Sequence, residues 1–166
     1  MSVQSFKISL QQQARLLSPA CITTVSLIAI YLYFFKGSLT VRGFLIVFVF
    51  FLFFDILPAI ALHIQYLIKN YGATLTIDTG SQKLMYEDRS NKLVYSFDDI
   101  RLLKCYNSYG KGAGVQSFSM YRYYKIVFGD NNELNITCLM INQIEETLAI
   151  LLRKDPQKCF QLLNLV

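Results

Sequence analysis

The side chains with which this chain could do chemistry are few: one histidine, four cysteines and a handful of carboxylates in 166 residues. His63 lies in FFDILPAIALHIQY (53–66), at the end of an apolar run, so a His-based dyad or triad in a soluble pocket has no base. Cys21, Cys105, Cys138 and Cys159 form no CxxC, and no HxxxH accompanies them, so a zinc site lacks its ligand set. Asp98 and Asp99 are adjacent in SFDDI; neighbours on a strand point to opposite faces, and the pair reads as a turn rather than an acid/base couple. YGKGAG (109–114) invites a phosphate-loop reading, but the glycine required five residues before Gly110 is Cys105, and no Ser or Thr follows Lys111. It reads instead as an interstrand loop, with Tyr109, Gly110, Lys111 and Gly112 as a candidate docking loop for a partner. YRYYK (121–125) mixes aromatic and basic residues as nucleic-acid binders do, yet alternation puts Tyr124, Ile126 and Phe128 together on a core-like face. The expectation is a protein without catalytic residues, metal, cofactor or nucleic-acid partner.

The elements that must position these residues fall into two compositional halves. Hydrophobic residues make up 54% of the chain and charged ones 16%. The mean hydropathy of +0.37 leans away from an ordinary soluble protein. Residues 20–35 and 43–68 carry a single ionised group between them, Asp55. Each is close to the length of about 20 helical residues that crosses a bilayer core. The first, near 19–35, is short for a span; the second, 43–68, is long and should tilt or run past the interface. No small-x-small cleavage site follows Phe35 and another apolar segment comes almost at once, so a retained hairpin fits better than a signal peptide. The expected organisation is an N-terminal cytoplasmic segment (1–18), a transmembrane hairpin (19–69) and a domain (70–166).

A hairpin puts both termini on one side. Lys7, Arg15 and Lys69 flank the spans there, against Lys36 and Arg42 in the connecting loop, a bias toward cytoplasmic termini. Three cysteines in the domain with no compact framework point the same way, to free thiols in a reducing compartment. The net charge of +5 is concentrated beside the membrane. Residues 1–69 hold five basic groups against Asp55, whereas residues 70–166 hold eleven against ten, a placement suited to anionic headgroups.

From residue 74 the text turns to short alternating segments: 74–78, 83–87, 92–97, 100–106, 121–128 and 133–138, with 115–120 as a further candidate strand. DTGS (78–81), EDRSN (87–91) and GDNN (129–132) are explicit turn chemistry. Asn142 with Glu145 has capping-box spacing, Ile144, Leu148, Leu151 and Leu152 make an apolar stripe, and Pro156 ends that helix. Six or seven short strands and then one helix, with strand junctions SFDDI and FGDNNELNI, resemble the pleckstrin-homology superfold. More narrowly, the chain resembles small bacterial membrane proteins in which two spans precede a PH-like domain. The resemblance implies an α+β membrane protein whose C-terminal part is an antiparallel barrel or sandwich with a C-terminal capping helix, used for docking rather than chemistry. The clustered Lys and Arg that grip inositol phosphates are missing from the first hairpin, where Lys83 and Arg89 are interrupted by Glu87 and Asp88, so phosphoinositide binding is not expected.

The polar residues inside the second apolar run need their own account. With the hairpin turn near Leu39, Asp55 lies level with Thr23 and Thr24, Pro58 level with Ala20, and His63 near Arg15. A carboxyl at such depth needs a partner. The expectation is a polar latch from Asp55 to Thr23 or Thr24 beside a kink at Pro58; the alternatives are an ion-handling role and an intramembrane contact with another protein. The functional expectation is a non-enzymatic adaptor or regulator in the inner membrane, integral in the lipid bilayer, whose domain docks a protein partner. The alternative is an accessory subunit of a transporter or envelope complex that makes contact through its spans.

Overall fold

The computed structural model describes residues 3–34, 41–108, 117–142, 144–161 and 165–166. The chain begins with strand β1 (Val3–Lys7), followed by helix α1 (Leu10–Phe34) and helix α2 (Val41–Phe51). A single π-helical turn (Leu52–Ile56) joins α2 to helix α3 (Leu57–Asn70). Strands β2 (Thr74–Asp78), β3 (Lys83–Glu87), β4 (Lys92–Ser96), β5 (Ile100–Ser108), β6 (Tyr123–Phe128) and β7 (Glu133–Thr137) follow, then helix α4 (Ile144–Leu152) and strand β8 (Gln157–Gln161). They form two four-stranded sheets, ordered β1-β2-β3-β4 and β7-β6-β5-β8. The architecture is α+β, and the sheets do not close into a barrel.

The expected order of two spans followed by the domain is corrected. Residues 3–7 pair antiparallel with β2, Lys7 opposite Thr74 and Val3 opposite Asp78, so the domain's first strand precedes the hairpin. Phe6 is the one half-buried side chain of a strand otherwise exposed, and it packs against the main core. Helix α1 also starts well before Pro19. Ser9 caps it: the Gln12 amide donates to Ser9 Oγ at 3.2 Å, and the Ser9 amide to Gln12 Oε1 at 3.3 Å. This reciprocal pair is a capping box. Pro19 inside α1 frees the Arg15 carbonyl, which accepts from Ser18 Oγ at 2.7 Å instead. Two helices, Leu10–Tyr33 and Arg42–Asn70, are long and apolar enough to cross a membrane. Tyr31 packs on Phe44 across the hairpin, ring centroids 4.0 Å apart.

The turns obey their sequence. Asp78 Oδ1 accepts from the amides of Gly80 and Ser81, and Asp88 Oδ1 from those of Ser90 and Asn91. Asp130 Oδ1 accepts from the Asn132 amide. SFDDI is a short 3-10 turn, with the Ser96 amide donating to Asp99 Oδ2. Residues 117–120 form turns, not the candidate strand. The expected Asn142–Glu145 capping box does not form: Asn142 Oδ1 accepts from Arg15, and Glu145 turns to Lys158 and Arg122. Nor is α4 the last element, because β8 continues beyond Pro156 and pairs parallel with β5.

The main core lies between the sheets and α4, with Leu75, Ile77, Leu84, Tyr124, Ile126, Phe128 and Leu148 buried together. Asn70, at the end of α3, ties this core to the helices. Its Nδ2 donates to the Asn135 carbonyl at 3.1 Å and its Oδ1 accepts from the Thr137 amide at 3.1 Å. The side-chain amide thus stands in for a neighbouring strand along β7. Gly72 then turns the chain into β2 at φ +73°, a region open to glycine. Asn70→Ala should destabilise the full-length protein by about 2–3 kcal/mol, because two backbone groups of β7 lose their buried partner. Asn70→Asp should cost a similar amount, since a carboxylate cannot donate to Asn135. Thermal unfolding in detergent measures both.

Candidate functional site

Three polar residues of the second apolar run, Asp55, His63 and Asn70, are all buried on one side of the helix. They are eight and seven residues apart, near the spacing of about 7.2 that returns a helix to the same face after two turns. Each meets the domain. Asp55 Oδ1 accepts from the Ser117 amide and Oδ2 from the Ser117 hydroxyl, both at 2.6 Å. His63 Nδ1 shares a hydrogen bond with the Tyr121 hydroxyl at 3.1 Å, its ring edge-on at 90°. Between them Leu16, Ala20, Ala59, Leu62 and Tyr66 bury against Phe118, Tyr121, Tyr123 and Leu139. Burial holds the Tyr121 phenol above its ordinary value and pushes that of Tyr123 up to about 12, so both stay protonated near neutrality.

The expected latch between the spans is therefore corrected. Both oxygens of Asp55 are taken by Ser117, not by Thr23 or Thr24. Thr24 Oγ1 instead donates to the Ala20 carbonyl of its own helix at 2.8 Å, and Thr23 is half-buried on α1. Where a proline kink is expected, the helix carries the π turn directly before Pro58, with the Leu57 amide donating to the Leu52 carbonyl. The wider turn accommodates the missing amide of Pro58, and Asp55 lies within it. Sequence reasoning missed Ser117 and Tyr121, and it took Asn70 only as a boundary. The two-turn spacing of Asp55, His63 and Asn70 was the signal for a face that packs on protein. Tyr109, Gly110, Lys111 and Gly112 lie outside the described residues.

At the foot of α1 the seam opens into a cavity of about 220 Å³ lined by Gln12, Arg15, Met120, Arg122, Glu145 and Glu146, among others. Glu145 pairs with Lys158 at 2.6 Å and Arg122 at 3.6 Å. The hydrogen bond from Lys158 holds the Glu145 carboxyl below its ordinary value. Among the described residues no three His, Cys, Asp or Glu side chains group as metal ligands would.

Two sheets, a helix after the seventh strand, and a long apolar hairpin inserted after the first define a helix-anchored α+β module. The PH domain family profile matches residues 5–147, and the chain belongs to that family. The matched stretch begins within β1 and runs through the hairpin into α4, as the strand order requires of an insertion. No curated protein and no solved structure shows a significant match.

Asp55→Leu should destabilise the protein by about 1–3 kcal/mol, and its coupling with Ser117→Ala should be about 1 kcal/mol in a double-mutant cycle. Asp55→Asn keeps an acceptor for the Ser117 amide and should lose less than half as much. Asn as damaging as Leu to cellular function, with normal stability, would instead mark an ionisable role. Acid provides a separate test. Glu145 is held low in the folded state, so its contribution is present above its unfolded value, near 4.5, and is lost as pH falls through the lower folded value. Lys158→Met should flatten the acid limb of a stability–pH profile by lowering stability in the neutral range, with little change at the acid end, where Glu145 is protonated in both states.

Proposed function

We propose that the protein is a membrane-anchored, non-enzymatic adaptor or regulatory module of a bacterial inner membrane. Its hairpin is embedded in the bilayer, and its cytoplasmic PH domain docks a protein partner. The observation that carries the anchoring is the outward face of the hairpin. Ile22, Val25, Tyr33, Ile46, Phe50 and Phe53 are 64%, 66%, 79%, 71%, 58% and 60% exposed, an apolar surface that water disfavours and lipid accepts. The adaptor role follows from family membership together with the seam, which holds the domain at a fixed attitude to the hairpin. A module fixed in this way presents the same rim to the cytoplasm at all times. The accessory-subunit alternative needs Asp55 as an anchor for a partner helix, and Ser117 already occupies both its oxygens.

Topology reporters test the anchoring. A fusion after Val166 should report cytoplasmic, and an insertion at Ser38 should report the far side. Periplasmic activity from the C-terminal fusion would reverse the orientation. For the docking role, a crosslinkable residue at Lys111 in the full-length protein should capture a protein that one placed at Ile46 does not. Capture through Ile46 alone would favour the accessory-subunit reading.

A further inference from the structure

Strand β8 is held by its backbone bonds rather than by burial. It lies at the edge of the order β7-β6-β5-β8 and is paired on one side only, with Lys104 opposite Gln157 and Ser108 opposite Gln161. Gln157, Lys158 and Phe160 are exposed and Cys159 is half-buried, so no side chain of 157–160 enters either core. The Lys158–Glu145 pair at 2.6 Å adds a tie that water screens. Beneath it, β5 carries Leu103 and Cys105 into the main core, and its outer edge needs a strand to cover its amides and carbonyls.

The link that lays β8 on β5 is short and strained. Residues 153–156 alone separate the end of α4 from the strand. Arg153 sits at φ +52°, in the left-handed region that a Cβ disfavours, and Pro156 stiffens the far end. A short hinge under strain is the local condition for exchanging an element between copies. A second copy of the chain offers a surface that fits the arm by construction. Its β5 edge takes the same strand in the same register, its Glu145 takes Lys158, and its Gln65 takes the Val166 carbonyl, bonded at 3.0 Å within one chain. Exchange therefore conserves every one of these contacts and releases both hinges from the left-handed turn.

We propose that β8 is an exchangeable arm, and that two copies of this chain dimerise by each laying its β8 on the β5 of the other. The register supplies the probe. Lys104 and Gln157 are direct partners, and adjacent strands run about 4.8 Å apart, within the Cα separation that a disulfide spans. Full-length chains with tags of different size are co-expressed, one carrying Lys104→Cys and the other Gln157→Cys, both with Cys21→Ser and Cys159→Ser. Mild oxidation should join the two chains, whereas either chain expressed alone sets the background. A single chain carrying both substitutions should also close on itself, which reads the unexchanged form. Arg153→Gly, which removes the strain at both hinges, should lower the between-chain yield about tenfold and leave the within-chain product in place. Product formed within one chain and never between chains overturns the proposal, as does a between-chain yield that Arg153→Gly leaves unchanged or raises. Dimers seen by light scattering in detergent without the between-chain disulfide are side-by-side pairs and also overturn it. Loss of both products, as when the strand of a different protein displaces β8, overturns it as well.

Discussion

A polar side chain on a helix that is otherwise hydrocarbon must find a partner, and this requirement organises the molecule. The hydrogen bonds of α3 are satisfied within the helix, so Asp55, His63 and Asn70 have to look outward for theirs. Each finds it on the domain, at Ser117, Tyr121 and the Asn135–Thr137 backbone. Because the three lie two turns apart, satisfying them commits one whole face of the helix to the domain and leaves the opposite face, with Ile60, Ile64 and Ile68, exposed. A helix that reads as uniformly apolar is thereby two-sided, with protein along one face and an apolar surface along the other.

How much of this was legible depended on whether the signal was local. The turns were readable because Asp78, Asp88 and Asp130 bond to amides two or three residues ahead, a rule that needs no tertiary information. Six strand positions were readable because one face of each turns to the core, buried in β2 and β6 and half-buried in β4. Strand β1 lacks that alternation: it lies at an edge with only Phe6 turned to the core, so its pattern is nearly all exposed. Strand β8 pairs parallel with β5 across the helix, and nothing within its five residues announces that partner. The start of α1 at Ser9 was readable in principle, since Ser9 and Gln12 have capping-box spacing. The apolar run beginning near Ala20 is the stronger signal and masks it.

The site was less legible than the fold. Depth arithmetic across the hairpin placed Asp55 level with Thr23 and Thr24. Level, however, does not fix azimuth. The π turn adds a residue within one turn and so rotates α3 relative to α2, and Asp55 lies inside it. Its carboxyl meets, on the face it shares with His63 and Asn70, a loop 62 residues away in the chain. That loop precedes β6, and no pattern around Ser117 names its partner.

The insertion point gives the hairpin its mechanical character. β1 leads directly into α1 and α3 leads directly into β2, and these two strands are hydrogen-bonded neighbours from Lys7–Thr74 to Val3–Asp78. Adjacent strands lie about 4.8 Å apart, whereas packed helices need about 8–10 Å between axes. The short links at Ile8–Ser9 and Tyr71–Ala73 take up the difference. The helices therefore cannot splay at their base without unzipping the first ladder of the sheet, and the sheet cannot lose β1 without freeing α1. Asp55 clasps the second of these helices to the domain further along, on the far side of Leu62 and Ala59. Clamped at the base by a strand ladder and further along by the Asp55 side chain, hairpin and domain form one body, which separates this arrangement from a domain carried on a flexible tether.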